Sequence, residues 1–290
     1  MSVIAVWSPL RSGSGATMFA TNLAIMMAYE YQVKVLLTHG GGAGERVEQG
    51  LAYARETMDR VIAFQDNGMD ALERLNTSGR LNPEALRNYT SPLLSDRLDL
   101  LRGASRFVQT QQDAIKKLKD QAPTGETLMS RVMQASKISH DITIADAGNG
   151  WPGESDRSIL GSAELVVIGL NQNMHVLERA IGSQLPEEIK NKHCIYVIGK
   201  YDPESHCTLQ NIKRRYGLKT GVYGIPYCSG MTDAWNRRAV LSYLQRLRGS
   251  GDGRRTHPFY ATLRQTGDGV AQQLGFLRGV PSTGGTHVLG

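Results

Sequence analysis

A glycine- and serine-rich loop between a short apolar strand and a helix is the feature that most constrains the fold of this chain. Residues 3–8 (VIAVWS) are apolar and partly β-branched, as in a buried strand, and residues 9–15 form the loop. Over residues 16–31 apolar side chains recur every three and four positions, which predicts a helix buried on one face. Residues 34–38 (KVLLT) predict a second buried strand. The chain therefore opens with a predicted βαβ unit whose two strands are parallel.

Further short apolar segments continue this alternation of strand and helix, and they are residues 142–146, 164–170, 194–199 and 221–225. Strands that are apolar on both faces and alternate with helices are typical of a parallel sheet covered on both sides. Residues 44–137 are mostly helical in pattern, with a break expected at residues 91–92 and one more strand at residues 97–101. The predicted fold class is a doubly wound α/β domain with a mainly parallel sheet and helices on both faces.

The composition excludes several other classes of protein. The chain is 40% hydrophobic and 21% charged, which excludes a disordered chain, collagen and a coiled coil. No apolar run approaches the ~18 residues of a membrane span, and the N-terminus lacks the pattern of a secretion signal. Cys194, Cys207 and Cys228 are odd in number and widely spaced, which argues against a disulfide framework. We therefore expect a cytoplasmic protein.

The sequence divides into one large domain and a short C-terminal extension. Residues 1–248 are expected to form the domain, residues 249–257 a hinge, and residues 258–290 a helix and a flexible tail. Apolar side chains have helical spacing over residues 258–278, although the TGDG segment at 266–269 is expected to interrupt them. Because this stretch has few basic residues, we expect it to pack on the domain rather than to contact a membrane.

The loop at residues 9–15 lies where P-loop proteins bind phosphate. Backbone N–H groups converge at such a strand-to-helix turn, and the helix dipole favours an anion there. A Walker loop also needs a lysine directly before its Ser/Thr, and here Ala16 precedes Thr17. A glycine-rich turn between strand and helix can also be purely structural. Phosphate binding and a structural turn are both open on this evidence alone.

A wider set of motifs resembles the ParA/MinD family of deviant Walker ATPases, which position cargo inside bacteria. The segment VIAVWSPLRSGSGATMFATNLAIMMAYEYQVKVLLT is similar to the family's strand, KGGxGKTT loop, xNLAxxLA helix and VLLIDxD strand. Residues 141–150 (DITIADAGNG) resemble its Walker B segment, with Asp146 as the acid. Residues 164–171, 194–202 and 222–227 resemble its later strands. The resemblance covers most of residues 2–248, but no single motif is intact.

The resemblance implies a nucleotide site built from Arg11, Ser12, Gly13, Ser14, Gly15, Thr17 and Asp146. Arg11 replaces the signature lysine that reaches across the family's dimer, and Thr17 and Asp146 would hold Mg²⁺. Ala16 replaces the Walker lysine, and His39 and Gly41 stand where the family has an acid that orients water. Losing a phosphate-clamping cation weakens transition-state stabilisation, so no catalytic residue is assigned and efficient hydrolysis is not expected. Two alternatives remain: the site holds Mg-ATP without efficient turnover, or it binds no nucleotide.

The resemblance also implies a positioning or assembly factor that acts through protein–protein contacts. Atypical Walker loops occur in the TadZ/CpaE group, which places pilus-secretion machinery at a cell pole or site. Residues 68–103 are also similar to a stretch of these proteins. The implied partners are secretion or pilus machinery, or a partition partner. The implied assembly is a homodimer through the nucleotide face, or a larger self-assembly.

The alternative is a DNA-partition protein that binds nucleoid or plasmid DNA non-specifically through basic side chains. The net charge of +6 permits such binding without requiring it. The candidate patch is Arg237, Arg238, Arg246 and Arg248, together with the basic residues at 213–215 and 254–255. Basic residues near helix ends also serve as solvated faces or as partners of the helix dipole, so this class of function is the less favoured one.

Two other groups of residues carry weaker signals. His193, Cys194, His206 and Cys207 form two adjacent pairs, but their spacing is not that of a structural zinc site. Trp151 is expected to shape the loop beside a terminal phosphate. Trp235 and Tyr227 follow the late strand, where an adenine base is one alternative and a core or surface role is the favoured one.

Overall fold

The computed structural model describes residues 1–41, 46–51, 67–104, 126–182, 185–219, 221–249 and 257–276. The strands are β1 (Ser2–Ser8), β2 (Val35–His39), β3 (Ser91–Leu94), β4 (Leu98–Leu100), β5 (Ile142–Asn149), β6 (Leu165–Asn171), β7 (His193–Tyr201) and β8 (Val222–Pro226). The helices are α1 (Ala16–Glu30), α2 (Met69–Thr77), α3 (Pro83–Asn88), α4 (Leu128–Ser139), α5 (Glu154–Ser162), α6 (Met174–Gly182), α7 (Leu209–Tyr216), α8 (Ser229–Asn236), α9 (Val240–Gly249) and α10 (Pro258–Leu274), and a short 3-10 helix spans Val47–Gly50.

All of these strands form one sheet, in the order β3-β4-β2-β5-β1-β6-β7-β8. Every neighbouring pair is parallel except β3 and β4. One hydrophobic core lies between the sheet and α1, α8, α9 and α10, and a second lies between the opposite face and α2 to α7. The predicted doubly wound α/β fold is therefore confirmed. Because the strands on either side of β1 run parallel to it, their carboxyl ends meet at one edge of the sheet.

The strand β3 is a difference from the sequence-based expectation. The segment at residues 91–92 was expected to break the pattern, yet Ser91 pairs with Leu100 and Pro92 with Asp99 in an antiparallel hairpin. Proline lacks an N–H donor, but an edge strand needs no donor on its outer side, and β3 lies at the edge of the sheet. The strand expected at residues 97–101 is present as β4.

Helix α1 is buried on more than the one face that its pattern indicates. Leu23, Ile25 and Met26 are fully buried although they point in different directions around the helix. The sheet covers one side of α1, and α9 and α10 cover another. The first helix is therefore a central element of the core.

The C-terminal helix α10 runs continuously through residues 266–269, so the TGDG segment, which interrupts the apolar spacing, does not end the helix. A Cβ on Gly267 would overlap the Met26 side chain, and a Cβ on Gly269 would overlap the Tyr223 ring. These glycines therefore let α10 approach α1 and β8 closely. The Tyr31 hydroxyl donates to Asp268 Oδ1 at 2.6 Å and fixes the helix further.

Parts of the expected C-terminal organisation lie outside the described residues. Residues 250–256 of the expected hinge and residues 277–290 of the expected helix end and tail belong to this group. Within the ranges that are described, no helix is long and apolar enough to cross a membrane.

Candidate functional site

The loop between β1 and α1 has the backbone that a phosphate-binding turn needs. Gly13 and Gly15 have φ angles of 83° and 73°, in the left-handed region that favours glycine. Gly15 caps α1 without any side-chain hydrogen bond, so the first N–H groups of the helix face the loop. One of them is already used, because Ala16 N donates to Ser14 Oγ at 3.3 Å. Arg11, Ser12 and Gly13 are exposed on the outer side of this turn.

The inner side of the loop packs against the ends of three neighbouring strands. A Cβ on Gly199 of β7 would overlap the carbonyl oxygen of Ser14, and a Cβ on Gly169 of β6 would lie 3.2 Å from Ala16 Cβ. The buried Ser14 hydroxyl lies 3.4 Å from Asn149 Oδ1, at the end of β5. The loop is therefore held in place by close backbone contact rather than by side-chain charge.

Thr17 and Asp146 meet at the centre of the site. Thr17 Oγ1 donates to Asp146 Oδ2 at 2.7 Å, and Gly148 N donates to Asp146 Oδ1 at 2.9 Å. Asp146 is fully buried within β5, and Thr17 is half-buried in the first turn of α1. A hydroxyl and a carboxylate are hard oxygen donors of the kind that Mg²⁺ prefers. This pair fits an Mg²⁺ ion that would bridge to phosphate oxygens, whereas the adjacent Ala16 supplies no charge.

His39 and Glu48 form a buried hydrogen-bonded pair at the end of β2. His39 Nδ1 accepts from Gly41 N at 3.2 Å, which leaves Nε2–H to donate to Glu48 Oε1 at 3.0 Å. The Glu48 carboxylate also accepts from Gly103 N at 2.8 Å and from Arg46 N at 3.0 Å. Both side chains are almost completely buried. The imidazole of His39, one of the two residues expected in place of the water-orienting acid, thus has both ring nitrogens bonded within the protein.

The environment of Glu48 favours its ionised form. Burial raises the pKa of Glu48, but the hydrogen bonds from His39 and from the Gly103 backbone outweigh burial and lower that pKa to about 2. The sequence analysis did not identify Glu48. It is separated from Gly103 by 55 positions, so no local pattern links the two.

Arg46 and Asp156 form a second ion pair on the same side of β5. Arg46 Nη1 lies 3.5 Å from Asp156 Oδ1, and Asp156 Oδ2 accepts from Gly153 N at 3.2 Å, at the start of α5. Burial raises the pKa of Asp156, and the nearby charge of Asp146 raises it further. The Arg46 charge and the Gly153 N–H offset only part of this. Neither residue was identified from the sequence.

The three aromatic residues considered from the sequence differ in exposure: Trp151 and Tyr227 are exposed, whereas Trp235 is packed against the protein. Trp151 follows β5 and is 68% exposed, with the Arg157 guanidinium carbon 5.9 Å from its ring centroid. Tyr227 follows β8 and is 63% exposed, which places it on the surface. Trp235 packs against Gly50 of the 3-10 helix, where a Cβ would overlap its ring. Of the three, Trp151 and Tyr227 present apolar surface to solvent.

The proposed basic patch is partly neutralised. Arg248 Nε lies 3.1 Å from Glu30 Oε1, and its guanidinium lies over the Tyr29 ring. Arg246 lies over the Tyr243 ring at 5.6 Å. Arg237 is exposed at the end of α8, with Arg238 beside it. Of the other candidates, Arg215 pairs with Glu178, whereas residues 254–255 lie outside the described residues.

A serine, a histidine and an aspartate are hydrogen-bonded in series at the opposite edge of the sheet. Ser139 Oγ lies 2.8 Å from His140 Nδ1, and His140 Nε2 lies 3.0 Å from Asp99 Oδ2, which also pairs with Lys34. Ser139 is 3% exposed, so a substrate cannot reach its hydroxyl. The three residues have the order of a hydrolase triad, but their hydroxyl is inaccessible. Their hydrogen bonds, with the Lys34 ion pair, instead connect α4, β4 and the start of β2.

The residues considered for zinc remain separate from this site. Cys194 lies in β7, where burial raises the pKa of its thiol to about 11. His206 and Cys207 precede α7 in a turn. Across the described ranges, no group of three or more histidine, cysteine, aspartate or glutamate residues is arranged to hold a metal ion.

A left-handed glycine turn after the first strand, a hydroxyl in the first turn of the helix and a buried acid in β5 are arranged as in the P-loop fold. No family model and no curated protein matches the sequence. Solved structures do match. A ParA family ATPase from Chlorobium tepidum superposes with a TM-score of 0.66 and 16% identity, over 92% of this chain and 98% of that one. The fold is therefore that of the ParA/MinD ATPases.

Two further matches extend this comparison. The septum site-determining protein MinD of Pyrococcus horikoshii, complexed with Mg-ADP, has a TM-score of 0.65 and 13% identity, over 94% of this chain and 97% of that one. The MinD of the Aquifex aeolicus MinC:MinD cell division complex has a TM-score of 0.59 and 15% identity, over 97% and 98%. At these identities the likeness establishes the fold of this chain and leaves its activity to be argued from its own residues.

Proposed function

We propose that this chain is a nucleotide-binding positioning or assembly factor that hydrolyses ATP poorly or not at all. The observation that carries the proposal is the 2.7 Å contact between Thr17 and Asp146, beside a glycine loop in which Ala16 occupies the lysine position. The side chains that would hold Mg²⁺ and the backbone N–H groups that would contact phosphate are retained. The lysine that would contact the transferring phosphate is replaced by Ala16.

Nucleotide binding is supported by the loop geometry and by the donor set. The N–H groups at the start of α1 and the dipole of that helix favour a phosphate anion at the Gly13–Gly15 turn. Thr17 and Asp146 supply oxygen ligands for the accompanying Mg²⁺. The similar MinD of P. horikoshii holds Mg-ADP on the same fold.

Poor hydrolysis is supported by the hydrogen bonds that His39 and Glu48 already make within the protein. Phosphoryl transfer depends on positioning and on charge stabilisation of the transferring group. His39 cannot orient an attacking water, because both of its ring nitrogens are bonded within the protein. Glu48 is equally engaged, because it accepts hydrogen bonds from three donors. Ala16 supplies no charge at the phosphate.

The proposed action is through protein contacts, in a homodimer or larger assembly that serves secretion or pilus machinery in the manner of the TadZ-like group. Arg11 and the exposed Trp151 lie at the carboxyl edge, where such contacts would form. The similar A. aeolicus MinD is in a complex with MinC. DNA binding is less well supported, since Arg248 of the basic patch is paired with Glu30.

Calorimetric titration with Mg-ATP, combined with light scattering, tests the proposal. We expect binding by the wild-type chain and a doubled mass with Mg-ATP. Thr17→Ala and Asp146→Asn should weaken binding at least about tenfold, since each removes a charge-assisted or metal-directed contact. Thr262→Ala is the matched control, because its hydroxyl bonds only to the backbone of α10. Absence of wild-type binding at millimolar Mg-ATP would refute the proposal, and salt-sensitive DNA binding would favour the partition alternative.

A further inference from the structure

We infer that Arg46 is the cation that faces the nucleotide phosphates at this site, in place of the lysine that the loop lacks, and that Asp156 holds it in the absence of nucleotide. The inference rests on the proposed nucleotide binding and adds to it a phosphate-binding residue from outside the loop. It follows from the position of the Arg46 guanidinium, from its incomplete hydrogen bonding and from the anchoring of its backbone.

The need for such a cation comes from the loop itself. A nucleoside triphosphate with Mg²⁺ retains net negative charge, and cationic side chains bind its oxygens more strongly than neutral donors do. Within residues 9–17 the charged side chain is Arg11, which is exposed on the outer side of the turn. The lysine position is Ala16, which is buried against Gly169. The inner side of the site therefore has no cation from the loop.

The Arg46 guanidinium lies close to the centre of the site. Its Nη1 atom is 2.8 Å from the place that a Cβ on Gly148 would occupy. Gly148 N donates to Asp146 Oδ1, and the other oxygen of Asp146 accepts from Thr17. Arg46 Nη1 thus lies beside Gly148, the residue whose N–H holds the Asp146 carboxylate that Thr17 also contacts. A side chain at position 148 would force the guanidinium to move from this place.

The hydrogen bonding of Arg46 is incomplete in a way that favours a further acceptor. Arg46 Nη1 is buried, yet it has no hydrogen-bond partner among the described residues, and the same is true of Asp156 Oδ1. The two atoms are 3.5 Å apart, which is an ion pair but longer than a charge-assisted hydrogen bond. The Nη1 atom is therefore held by charge attraction to Asp156 rather than by a short hydrogen bond, and a phosphate oxygen could offer it a better acceptor. The side chain as a whole remains 31% exposed, which leaves it access to the site.

The backbone of Arg46 is anchored by contacts other than the ion pair of its side chain. Arg46 N donates to Glu48 Oε2 at 3.0 Å, and Glu48 is held in turn by His39 and Gly103. The arginine therefore needs only a change of side-chain rotamer to exchange Asp156 for a phosphate oxygen. In this arrangement the His39–Glu48 pair positions the backbone of the proposed phosphate-binding residue, Arg46.

Mg-ATP affinity in a set of variants tests the inference. Arg46→Gln should weaken binding about 10- to 100-fold, as expected for loss of a hydrogen bond to a charged group. Arg46→Lys should recover part of that loss, because it keeps the charge without the planar fork. Asp156→Asn should tighten binding, because it removes the competing carboxylate while its amide oxygen still accepts from Gly153 N. Arg97→Gln is the matched control and should bind like the wild type, since Arg97 precedes β4 at the opposite edge of the sheet and donates to the Tyr31 carbonyl oxygen.

The outcomes separate the two proposals. If the wild-type chain binds Mg-ATP and Arg46→Gln binds equally well, the role of Arg46 is refuted while the proposed function stands. If Asp156→Asn weakens binding, Asp156 is not a competitor and the inference is also refuted. If the wild type shows no binding, the proposed function fails first. Thermal unfolding without ligand identifies any variant that does not fold, and in that case Asp156→Asn and Arg46→Lys decide the question.

Discussion

At the scale of single residues, the buried carboxylate of Glu48 connects several chain segments at the carboxyl edge of the sheet. Glu48 accepts hydrogen bonds from His39, from Gly103 and from the Arg46 backbone, and these three donors come from different segments of the chain. A buried carboxylate that lost these donors would face a large desolvation cost. The pair of Glu48 and His39 therefore ties the end of β2 to the 3-10 helix at Val47–Gly50.

This arrangement predicts an acid-sensitive component of stability. The pKa of Glu48 is about 2 in the folded chain and 4.5 ordinarily, which corresponds to about 3 kcal/mol of stability. Because the folded pKa is depressed, this stability is fully present above pH 4.5 and is lost as the pH falls towards 2. Urea unfolding of the wild type and of Glu48→Gln should therefore differ most near pH 7, and the difference should shrink below pH 4.5. A difference that stays constant from pH 7 to pH 3 would contradict this account.

At the scale of elements, the close packing of α10 depends on glycine. Helix α10 covers α1 and contacts β8, and a Cβ on Gly269 would overlap the rigid Tyr223 ring. The contact explains why a segment with two glycines remains helical. Glycine disfavours a helix in isolation, but here burial against the core outweighs that preference.

The same contact predicts a contrast between two identical substitutions. Gly269→Ala should destabilise the chain by about 1–3 kcal/mol, because the added methyl group forces the Tyr223 ring to move. Gly161→Ala in α5 should be neutral or stabilising, because its Cβ would meet nothing within 4 Å. Denaturant unfolding of both variants measures the contrast. Equal effects of the two substitutions would show that α10 does not pack as described.

The sequence predicts those elements whose signal is local. The buried strands and the first helix follow from apolar periodicity. The pairing of Thr17 in α1 with Asp146 in β5 was implied by the family resemblance rather than by a local pattern. Strand β3 was missed because Pro92 is tolerated only through its place at the sheet edge, which is a tertiary fact. Glu48, Arg46 and Asp156 were missed for a similar reason. Gly103, which donates to Glu48, and Asp156, which pairs with Arg46, lie far away in sequence and are brought near only by the fold.

At the scale of the whole molecule, the sheet order gathers the unusual residues at one edge. The ends of β1, β2 and β5 bring together Thr17, His39 and Asp146, and Arg46 reaches the same place from the 3-10 segment. The opposite edge carries the buried Asp99–His140 tie, which is structural. The carboxyl edge is therefore both the candidate nucleotide site and the proposed contact surface. The loop at residues 9–15, followed by Ala16, is expected to bind nucleotide without hydrolysing it efficiently.

A single-turnover experiment tests this central claim most directly. Purified chain in excess over radiolabelled ATP, with Mg²⁺, is incubated for an hour, and the bound nucleotide is then separated from free nucleotide and identified by chromatography. We predict that labelled nucleotide is retained on the protein and that it is still ATP. Conversion of most of the label to ADP and phosphate within the first minutes of the incubation would contradict the account by showing an efficient ATPase. No retained label at millimolar concentrations would contradict it by showing that the loop binds no nucleotide.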